Sequence, residues 1–297
     1  LDTDQHCVGQ NILTVNRDLE LQDVLSKALN GEQNEIILDL HDGHYQISAS
    51  PVISDSTVSG LALLIFDVTE KENAEQMRRE FTANVSHELR TPLHSISGYA
   101  ELLKNGMVKT GDIRPIASKI YGEAQRMVQL VEDIINLSHL DEGAEDMLRE
   151  KVDMFEIVKA TVQSLEPEAE SADVSINMTG EQAVITGVPQ LLGGIVYNLC
   201  DNAIKYNHKG GRVSISLKSS PNEVILTVSD NGIGIPAEDQ NRIFERFYRV
   251  DKSHSKEVGG TGLGLSIVKH SAKIHNAKIS LESTVGKGTT ITVRFPK

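Results

Sequence analysis

The chain has 297 residues and a formal net charge of -13 at pH 7, and 39% of its residues are hydrophobic and 24% charged. This length is typical of about two domains and allows a third, and the composition is that of an ordinary soluble protein. The acidic balance argues against general nucleic-acid binding, which needs a basic surface.

Apolar runs in the sequence stay well short of the ~20 residues that cross a bilayer, and no signal peptide opens it. Its two cysteines, Cys7 and Cys200, are too few and too far apart to predict a disulfide framework or a metal site. Two lone thiols are typical of a reducing cytosol.

Residues 1–69 are predicted to form a small α+β unit. A short helix begins near Leu19 and ends at Asn30-Gly31. Asp42-Gly43 is typical of a hairpin turn between two strands. Three strands are predicted, over Glu35–Leu40, His44–Ala49 and Gly60–Val68.

A long, charged helix is predicted from Glu70 to Asn105-Gly106, and a second helix from about Asp112 to residues 141–143. The apolar spacings of the second helix alternate between three and four, which is a heptad seam. Two helices with narrow apolar stripes bury too little surface alone, so a homodimeric four-helix bundle is predicted. The seam residues are Ile113, Ile116, Ile120, Ala124, Met127, Val131 and Ile134.

The first of these helices carries a histidine beside its apolar face. His87 lies off the apolar stripe, Glu88 follows it, and Thr91 shares its face one turn later. Pro92 predicts a kink or a loosened turn just after His87. A solvated imidazole with an adjacent carboxylate indicates a reactive histidine, whereas a lone histidine is more often an exposed surface residue without a catalytic role. The stripe predicted to be buried is Phe81, Val85, Leu89, Leu93, Ile96, Ala100 and Leu103.

Residues 141–151 are acidic and contain glycine, which predicts a hinge. From Val152 onward helices alternate with a largely antiparallel set of strands, which predicts an α/β sandwich. The predicted helices are Val158–Leu165 and Pro189–Tyr206, and the predicted strands are Val174–Met178, Ala183–Thr186, Arg212–Lys218, Glu223–Ser229, Lys278–Ser283 and Thr289–Phe295.

Two motifs in this last region place polar groups at defined spacings. Asn198 and Asn202 share a helix face, with Lys205 a turn later. Amide oxygens are suitable ligands for Mg²⁺, and an ammonium group is suitable for binding phosphate. An isolated pair of Asn residues, however, is usually only part of a polar helix face.

Asp230 follows a strand and can accept a hydrogen bond from an adenine amino group, while Gly232 lets the backbone approach the ring. Such a motif alone could equally be a turn.

The third motif is the run from Gly259 to Ser266, which opens a helix. Glycine-rich amides before a helix N-terminus form an anion site. The run is not interpreted as a dinucleotide-binding motif, because no strand–helix–strand unit and no acidic residue follow it at the required positions. Arg249 and three aromatic residues precede this run, and residues 251–258 are predicted to be a mobile lid.

The run from His87 to Pro92 resembles the phosphoacceptor box of bacterial sensor histidine kinases. The three later motifs are similar, in order and context, to the ATP-binding domain shared by histidine kinases, gyrase, Hsp90 and MutL. The resemblance covers residues 70–297 well and residues 1–69 loosely. Within the family, the sequence resembles the phosphate-regulon type of sensor kinase. It implies a multidomain α+β chain: a partial PAS-like sensor domain (1–69), a signalling helix and helical-hairpin phosphotransfer domain (70–143) and a catalytic ATP-binding domain of the α/β sandwich type (144–297).

The resemblance also implies roles for single residues. His87 takes a phosphoryl group from ATP and passes it to a response regulator, Glu88 orients the ring and accepts its proton, and Thr91 positions water for the reverse dephosphorylation. Arg249 lies near the γ-phosphate, and Asn202 holds Mg²⁺. The other implied cofactor-binding residues are Asn198, Lys205, Tyr206, Asp230, Gly232, Gly234, Gly260, Thr261, Gly262, Leu263 and Gly264.

A homodimer, a response regulator receiver domain as partner, and membrane anchoring through a segment outside this sequence are further implications. The chain would then be the cytoplasmic portion of a cell-membrane sensor. One departure from the family pattern is Gly187-Val188-Pro189, where an acidic residue usually precedes the proline.

Two other functions and one other acceptor stay open. A chaperone- or topoisomerase-like ATPase would hydrolyse ATP without a phosphoenzyme, and a signalling scaffold would bind nucleotide and transfer nothing. His94 lies seven residues after His87 and is a rival acceptor, but no acidic residue follows it.

Overall fold

The computed structural model describes residues 18–40, 43–55, 57–141, 148–250 and 260–297. The chain forms two compact units, Leu1–Ala83 and Asn84–Lys297. None of the described helices combines the length and the apolar character that crossing a bilayer requires. The domain boundaries drawn from the sequence stay a prediction.

The first unit packs one helix on a three-stranded antiparallel sheet of order β1-β2-β3. Asp18 caps α1 by accepting the N–H of Glu20 at 2.8 Å. Leu21 and Leu25 of α1 pack on Leu38 and Ile47 of the sheet. The small α+β unit is therefore confirmed, while its PAS assignment stays a prediction. The elements are α1 (Leu19–Leu29), β1 (Asn34–Leu40), β2 (Gly43–Ser54) and β3 (Thr57–Asp67).

The hairpin between β1 and β2 differs in detail from the prediction. Leu40 pairs directly with Gly43, so Gly43 is a strand residue, and Asp42 lies outside the described residues. The prediction that β2 ends at Ala49 is wrong, because the strand continues to Ser54. Pro51 is tolerated within it because β1 ends its pairing at Ala49, which leaves only β3 beside Pro51.

Two long helices follow, α2 (Thr69–Lys104) and α3 (Ile113–Asp141), joined through a short 3-10 turn. Helix α2 stays helical through Pro92, which is itself buried, and the predicted kink stays a prediction. The stripe predicted to be buried on α2 is only partly covered. Leu93 is 52% exposed, and Ala100 is also exposed.

Helix α3 has two apolar faces, not the single seam predicted. One face turns towards its own chain and buries Leu130 and Leu137. Of the predicted seam residues, Ile113, Ala124 and Val131 are exposed in the single chain, as residues of a seam between two chains would be. Most of the exposed apolar residues form a second row with alternating spacings of three and four, which we name the open stripe: Tyr121, Ala124, Val128, Val131 and Ile135.

The rest of the second unit is an α/β sandwich, as predicted. Its five-stranded sheet has the order β5-β7-β8-β10-β9, in which only β5 and β7 run parallel, and β4 pairs with β6. The core between sheet and helices includes Leu192, Leu199, Ile215 and Leu226. The elements are β4 (Glu150–Asp153), α4 (Met154–Ser171), β5 (Val174–Gly180), β6 (Val184–Gly187), α5 (Pro189–Lys205), β7 (Gly211–Ser219), β8 (Glu223–Asp230), α6 (Gly264–Ile274), β9 (Lys278–Thr284) and β10 (Gly288–Pro296).

The last two residues of the predicted hinge, Glu150 and Lys151, lie in β4, where they pair with Gly187 and Thr186. Residues 142–147 of that segment lie outside the described residues. Asp153 ends the strand and caps α4 by accepting the N–H of Phe155 at 3.0 Å. A hinge role therefore stays a prediction for the residues before β4.

A buried histidine binds the backbone just before Pro189. The N–H of Val188 donates to Nε2 of His275 at 3.0 Å, and Nδ1 of His275 donates to the carbonyl of Ser271 at 2.7 Å. These two bonds fix a neutral ring, and burial lowers the pKa of His275. The imidazole thus binds the N–H of Val188, the residue at the N-cap of α5.

Candidate functional site

A cavity of about 380 Å³ lies where α5, the end of β8 and the start of α6 meet. All three sequence motifs contribute to its wall. Two of the predicted residues, Gly232 and Leu263, support the wall without lining it. The predicted residues that line the cavity are Asn198, Asn202, Lys205, Tyr206, Asp230, Gly234, Arg249, Gly260, Thr261, Gly262 and Gly264.

The polar side chains of α5 in the cavity differ in whether they already have a hydrogen-bond partner. Asn198 donates to the carbonyl of Gly194 at 2.8 Å, and Lys205 forms an ion pair with Asp201 at 2.7 Å. The side chain of Asn202 makes no hydrogen bond to any described residue, so its amide oxygen is available in the cavity.

The described residues contain no cluster of three or more His, Cys, Asp or Glu side chains that could hold a metal ion. The amide oxygen of Asn202 is one open oxygen ligand on the cavity wall. Mg²⁺ usually takes one or two protein oxygens and completes its shell with water and phosphate oxygens. The residues present fit that ion when a phosphate ligand accompanies it.

Asp230 is held at the end of β8 by backbone groups. Its Oδ1 accepts the N–H of Gly232 at 2.8 Å and the N–H of Thr289 at 3.2 Å. No described residue donates to Oδ2, which leaves one carboxylate oxygen as an acceptor. Burial raises the pKa of Asp230, and the two backbone donors partly offset that effect. The arrangement can bind a donor group such as an exocyclic amine. The sequence did not indicate Thr289, which lies on a different strand.

The glycines after Asp230 are required by close backbone approach. A Cβ at Gly232 would lie 2.3 Å from the carbonyl oxygen of Tyr206. Gly234 has a φ of +72°, and a Cβ there would lie 2.1 Å from the carbonyl oxygen of Thr284. Neither backbone oxygen can move aside as a flexible side chain could, so this turn admits glycine only.

We expect Gly234→Ala to lower the free energy of unfolding by about 3 kcal/mol or more, because it combines a left-handed backbone with a backbone clash. Gly286→Ala is the matched control, since its φ of +76° is similar and nothing lies within 4 Å of the added Cβ. The control should cost about 1–2 kcal/mol. Urea denaturation of both variants measures the difference, and equal losses would contradict the clash.

The glycine-rich run packs against the residues before it. The N–H of Phe247 donates to the carbonyl of Gly262 at 2.9 Å, and a Cβ at Gly262 would lie 2.9 Å from the Cα of Phe247. Leu263 is fully buried and anchors the start of α6. Residues 251–259, which include the predicted lid and Gly259, lie outside the described residues.

Helix α3 also contributes to the cavity wall, through Gln129 and Asp133. Thr261 donates its hydroxyl to Oδ2 of Asp133 at 2.7 Å, and Gln129 donates to Oδ1 at 2.9 Å. Asp133 is only 8% exposed, and burial raises its pKa. The available sequence signal was an acidic residue between Leu130 and Leu137 on the buried face of an amphipathic helix.

The predicted phosphoacceptor segment does not line the cavity. His87 and Thr91 are exposed on α2, and the hydroxyl of Thr91 donates to the carbonyl of His87 at 3.3 Å. Glu88 is half-buried and pairs with Arg126 of α3 at 3.4 Å. Arg249 lines the cavity and lies within electrostatic reach of both Glu88 and Arg126. Burial lowers the pKa of Arg249.

Two family models match the chain. Residues 77–143 match the His Kinase A (phospho-acceptor) domain. Residues 187–297 match the histidine kinase-, DNA gyrase B- and HSP90-like ATPase. These ranges contain His87 in the first case and the three cavity motifs in the second.

Relatives named sensor protein kinase WalK align over nearly the whole chain. One from Staphylococcus aureus is 34% identical over 97% of this chain and 71% of its own length. One from Staphylococcus saprophyticus is 35% identical over 97% of this chain and 48% of its own length. The sensor histidine kinase WalK of Bacillus subtilis is 38% identical over 80% of this chain and 40% of its own length. The chain thus spans about half the length of most of these relatives.

Solved structures share the fold. The Acinetobacter baumannii histidine kinase AdeS has a TM-score of 0.59 at 23% identity and covers 71% of this chain and 97% of its own. The histidine kinase ThkA, solved in complex with the response regulator protein TrrA, has a TM-score of 0.57 at 19% identity over 99% of this chain and 88% of its own. At these identities the likeness concerns the fold alone.

Proposed function

Since the chain belongs to the sensor histidine kinases of two-component systems, we propose that it transfers the γ-phosphoryl group of ATP to His87 and then to an aspartate of a response regulator. The observation that carries the proposal is a single cavity whose wall contains residues of all three nucleotide motifs. The relatives bear the name WalK, and the phosphate-regulon subtype stays a prediction.

The cavity supports the following assignment of the nucleotide. The free carboxylate oxygen of Asp230 accepts from the adenine amino group. The glycine-rich turn from Gly260 to Gly264 and the ammonium of Lys205 face the phosphates, where helix N-terminal amides favour an anion. Asn202 would hold Mg²⁺, which would neutralise charge on the transferring group. Tyr206 lies beside the sugar and phosphates, close to Gly260.

The phosphoryl transfer follows from the groups around His87. The neutral imidazole of a histidine is a nucleophile. One ring nitrogen forms the N–P bond as the bond from phosphorus to the ADP oxygen breaks, and Glu88 takes the ring proton. The cationic side chain of Arg249 stabilises charge on the transferred group. The exposure of His87 supports this role, because the ring must be reached by a separate catalytic domain and by the regulator.

Thr91 positions water for dephosphorylation of the regulator in this proposal. We expect Thr91→Ala to slow that dephosphorylation at least about tenfold while autophosphorylation stays within about twofold. Thr82→Ala is the matched control, because Thr82 also donates its hydroxyl to the carbonyl four residues earlier on α2. The assay follows decay of label from a phosphorylated receiver domain. Unchanged decay with Thr91→Ala would remove this role.

The open stripe on α3 supports the homodimer. Tyr121, Val128 and Ile135 are 66%, 53% and 49% exposed, and their row continues through Ala124 and Val131. A second copy that packs its own hairpin on this row completes a four-helix bundle. The response regulator is the second partner, and the complex of ThkA with TrrA supplies a precedent within the same fold. We also infer that the chain is the cytoplasmic portion of a cell-membrane sensor, an inference that rests on family resemblance.

The decisive experiment incubates the chain with γ-labelled ATP and Mg²⁺. We expect label on the protein that acid removes and base does not, which is the signature of a phosphorus–nitrogen bond. An ATPase of the chaperone or topoisomerase type would release phosphate without labelling the protein. A signalling scaffold would bind ATP and produce neither label nor free phosphate.

A further inference from the structure

A buried carboxylate of the helical hairpin contacts the glycine-rich turn of the cavity. Asp133 on α3 accepts the hydroxyl of Thr261 at 2.7 Å, a contact between residues 128 positions apart. The same hydroxyl oxygen accepts the N–H of Leu263 at 3.3 Å, just before α6 begins. Thr261 therefore links the start of α6 to Asp133.

The groups around Asp133 are those that a phosphate would use. A glycine-rich turn that opens a helix favours an anion, and a hydroxyl donor lies within it. The ammonium of Lys205 is also within electrostatic reach of Asp133, and both residues line the cavity. Asp133 thus places a negative charge beside the groups to which the proposed function assigns the phosphates.

A purely structural role accounts poorly for this residue. Asp133 lies between Leu130 and Leu137 on the buried face of α3, where an apolar side chain would pack without the cost of burying a charge. Gln129, one turn earlier, donates to its second oxygen at 2.9 Å, so both carboxylate oxygens are bound. The position is built to keep an acceptor in place at the glycine-rich turn.

We propose that Asp133 is a built-in competitor of the nucleotide phosphates, which holds the glycine-rich turn until a triphosphate displaces it. This inference rests on the proposed function in taking the cavity to be an ATP site. A triphosphate bound at this turn would bring negative charge close to the carboxylate of Asp133, and like charges repel. Binding of the triphosphate therefore weakens the contact between α3 and the glycine-rich turn, and that contact weakens ATP binding by the same factor.

The test measures the affinities for Mg-ATP and for adenosine by calorimetry, using the whole chain. Asp133→Asn removes the charge and keeps an acceptor for Thr261, and Asp133→Ala removes both. We expect both variants to bind Mg-ATP about tenfold more tightly, which equals about 1.4 kcal/mol. Adenosine affinity should stay within about twofold, because adenosine has no phosphates. Glu132→Ala is the matched control, since it removes an exposed charge from the adjacent position.

The outcomes separate this inference from the proposed function. Equal or weaker ATP binding by Asp133→Asn would overturn the competitor role, and weaker binding would identify Asp133 as a contributor to the metal or phosphate site. An equal gain in adenosine affinity would also overturn it, because a general opening of the cavity would then explain the gain. A gain confined to ATP in a chain that never labels a histidine would support the competitor role and refute the phosphotransfer.

Discussion

The His87→Gln variant is expected to accumulate no acid-labile phosphate, a loss of more than about a thousandfold relative to the unaltered chain. Glutamine has no nucleophilic ring nitrogen, while its length and polarity suit an exposed helix position. ATP binding should be unchanged, because His87 does not line the cavity. Labelling with γ-labelled ATP followed by acid and base treatment measures the effect.

His94→Gln is the matched control for that experiment, since His94 is also exposed on α2, seven residues later. It should label like the unaltered chain. Label that persists in His87→Gln and disappears in His94→Gln would move the acceptor role to His94. Loss of label in both variants would indicate that the substitutions disturb the helix.

Mixing two inactive variants extends this prediction to the direction of transfer. His87→Gln keeps its nucleotide site, and Asp230→Asn keeps its histidine. If the proposed dimer phosphorylates across its two chains, the mixture regains label on the Asp230→Asn chain. If each chain phosphorylates itself, the mixture stays unlabelled. Regained label would also support the dimer, because transfer between chains requires two chains to meet.

The regular elements could be predicted because each depends on local periodicity. Helix α5 begins at Pro189, and β9 begins at Lys278, both as the sequence indicated. The strand predicted to end at Ala49 continues through Pro51, a residue type that usually marks the end or the edge of a strand. Whether it breaks a strand depends on where β1 ends its pairing, which the sequence of β2 does not contain.

The residues of the candidate site also differ in whether a local sequence pattern could predict them. Asp230 and Gly234 belong to one short motif, whose residue types and spacing fit adenine binding and equally fit a turn. Thr289 and Asp133 reach the cavity from other elements, and the contact of Asp133 with Thr261 joins residues 128 positions apart. No local pattern encodes such a contact, since it depends on how α3 packs against the sandwich.

Helix α3 shows a further limit of prediction from the spacing of apolar residues. Its sequence was assigned one heptad seam, yet the helix has one face against its own chain and a second, open face. Residues such as Met127 and Val131 both fit a heptad, but Met127 is half-buried and Val131 is 43% exposed. A period of 3.5 predicts that a face is apolar, and it does not say which neighbour covers that face.

Asp230→Asn is expected to weaken ATP binding at least about a hundredfold, or about 2.7 kcal/mol. The oxygen of asparagine can still accept from Gly232 and Thr289, as Oδ1 of Asp230 does. Its NH₂ group then replaces the free carboxylate oxygen and presents a donor to the donor amino group of adenine. A buried pair of facing donors costs both the lost hydrogen bond and its desolvation.

The same substitution should not unfold the chain, and this makes the loss of binding interpretable. Burial raises the pKa of Asp230 in the folded protein above its unfolded value, with the backbone donors Gly232 and Thr289 acting in the opposite direction. A carboxyl group whose pKa is raised on folding makes the folded state less stable as its charge forms with rising pH. Removing the charge therefore does not lower the free energy of unfolding at pH 7.

Thermal melting should show an equal or higher midpoint for Asp230→Asn, and calorimetry should show the lost affinity. Glu282→Gln, which removes the same charge at an exposed position of β9, is the control and should alter neither quantity. A variant that melts normally and binds ATP as tightly as the unaltered chain would show that another group reads the adenine.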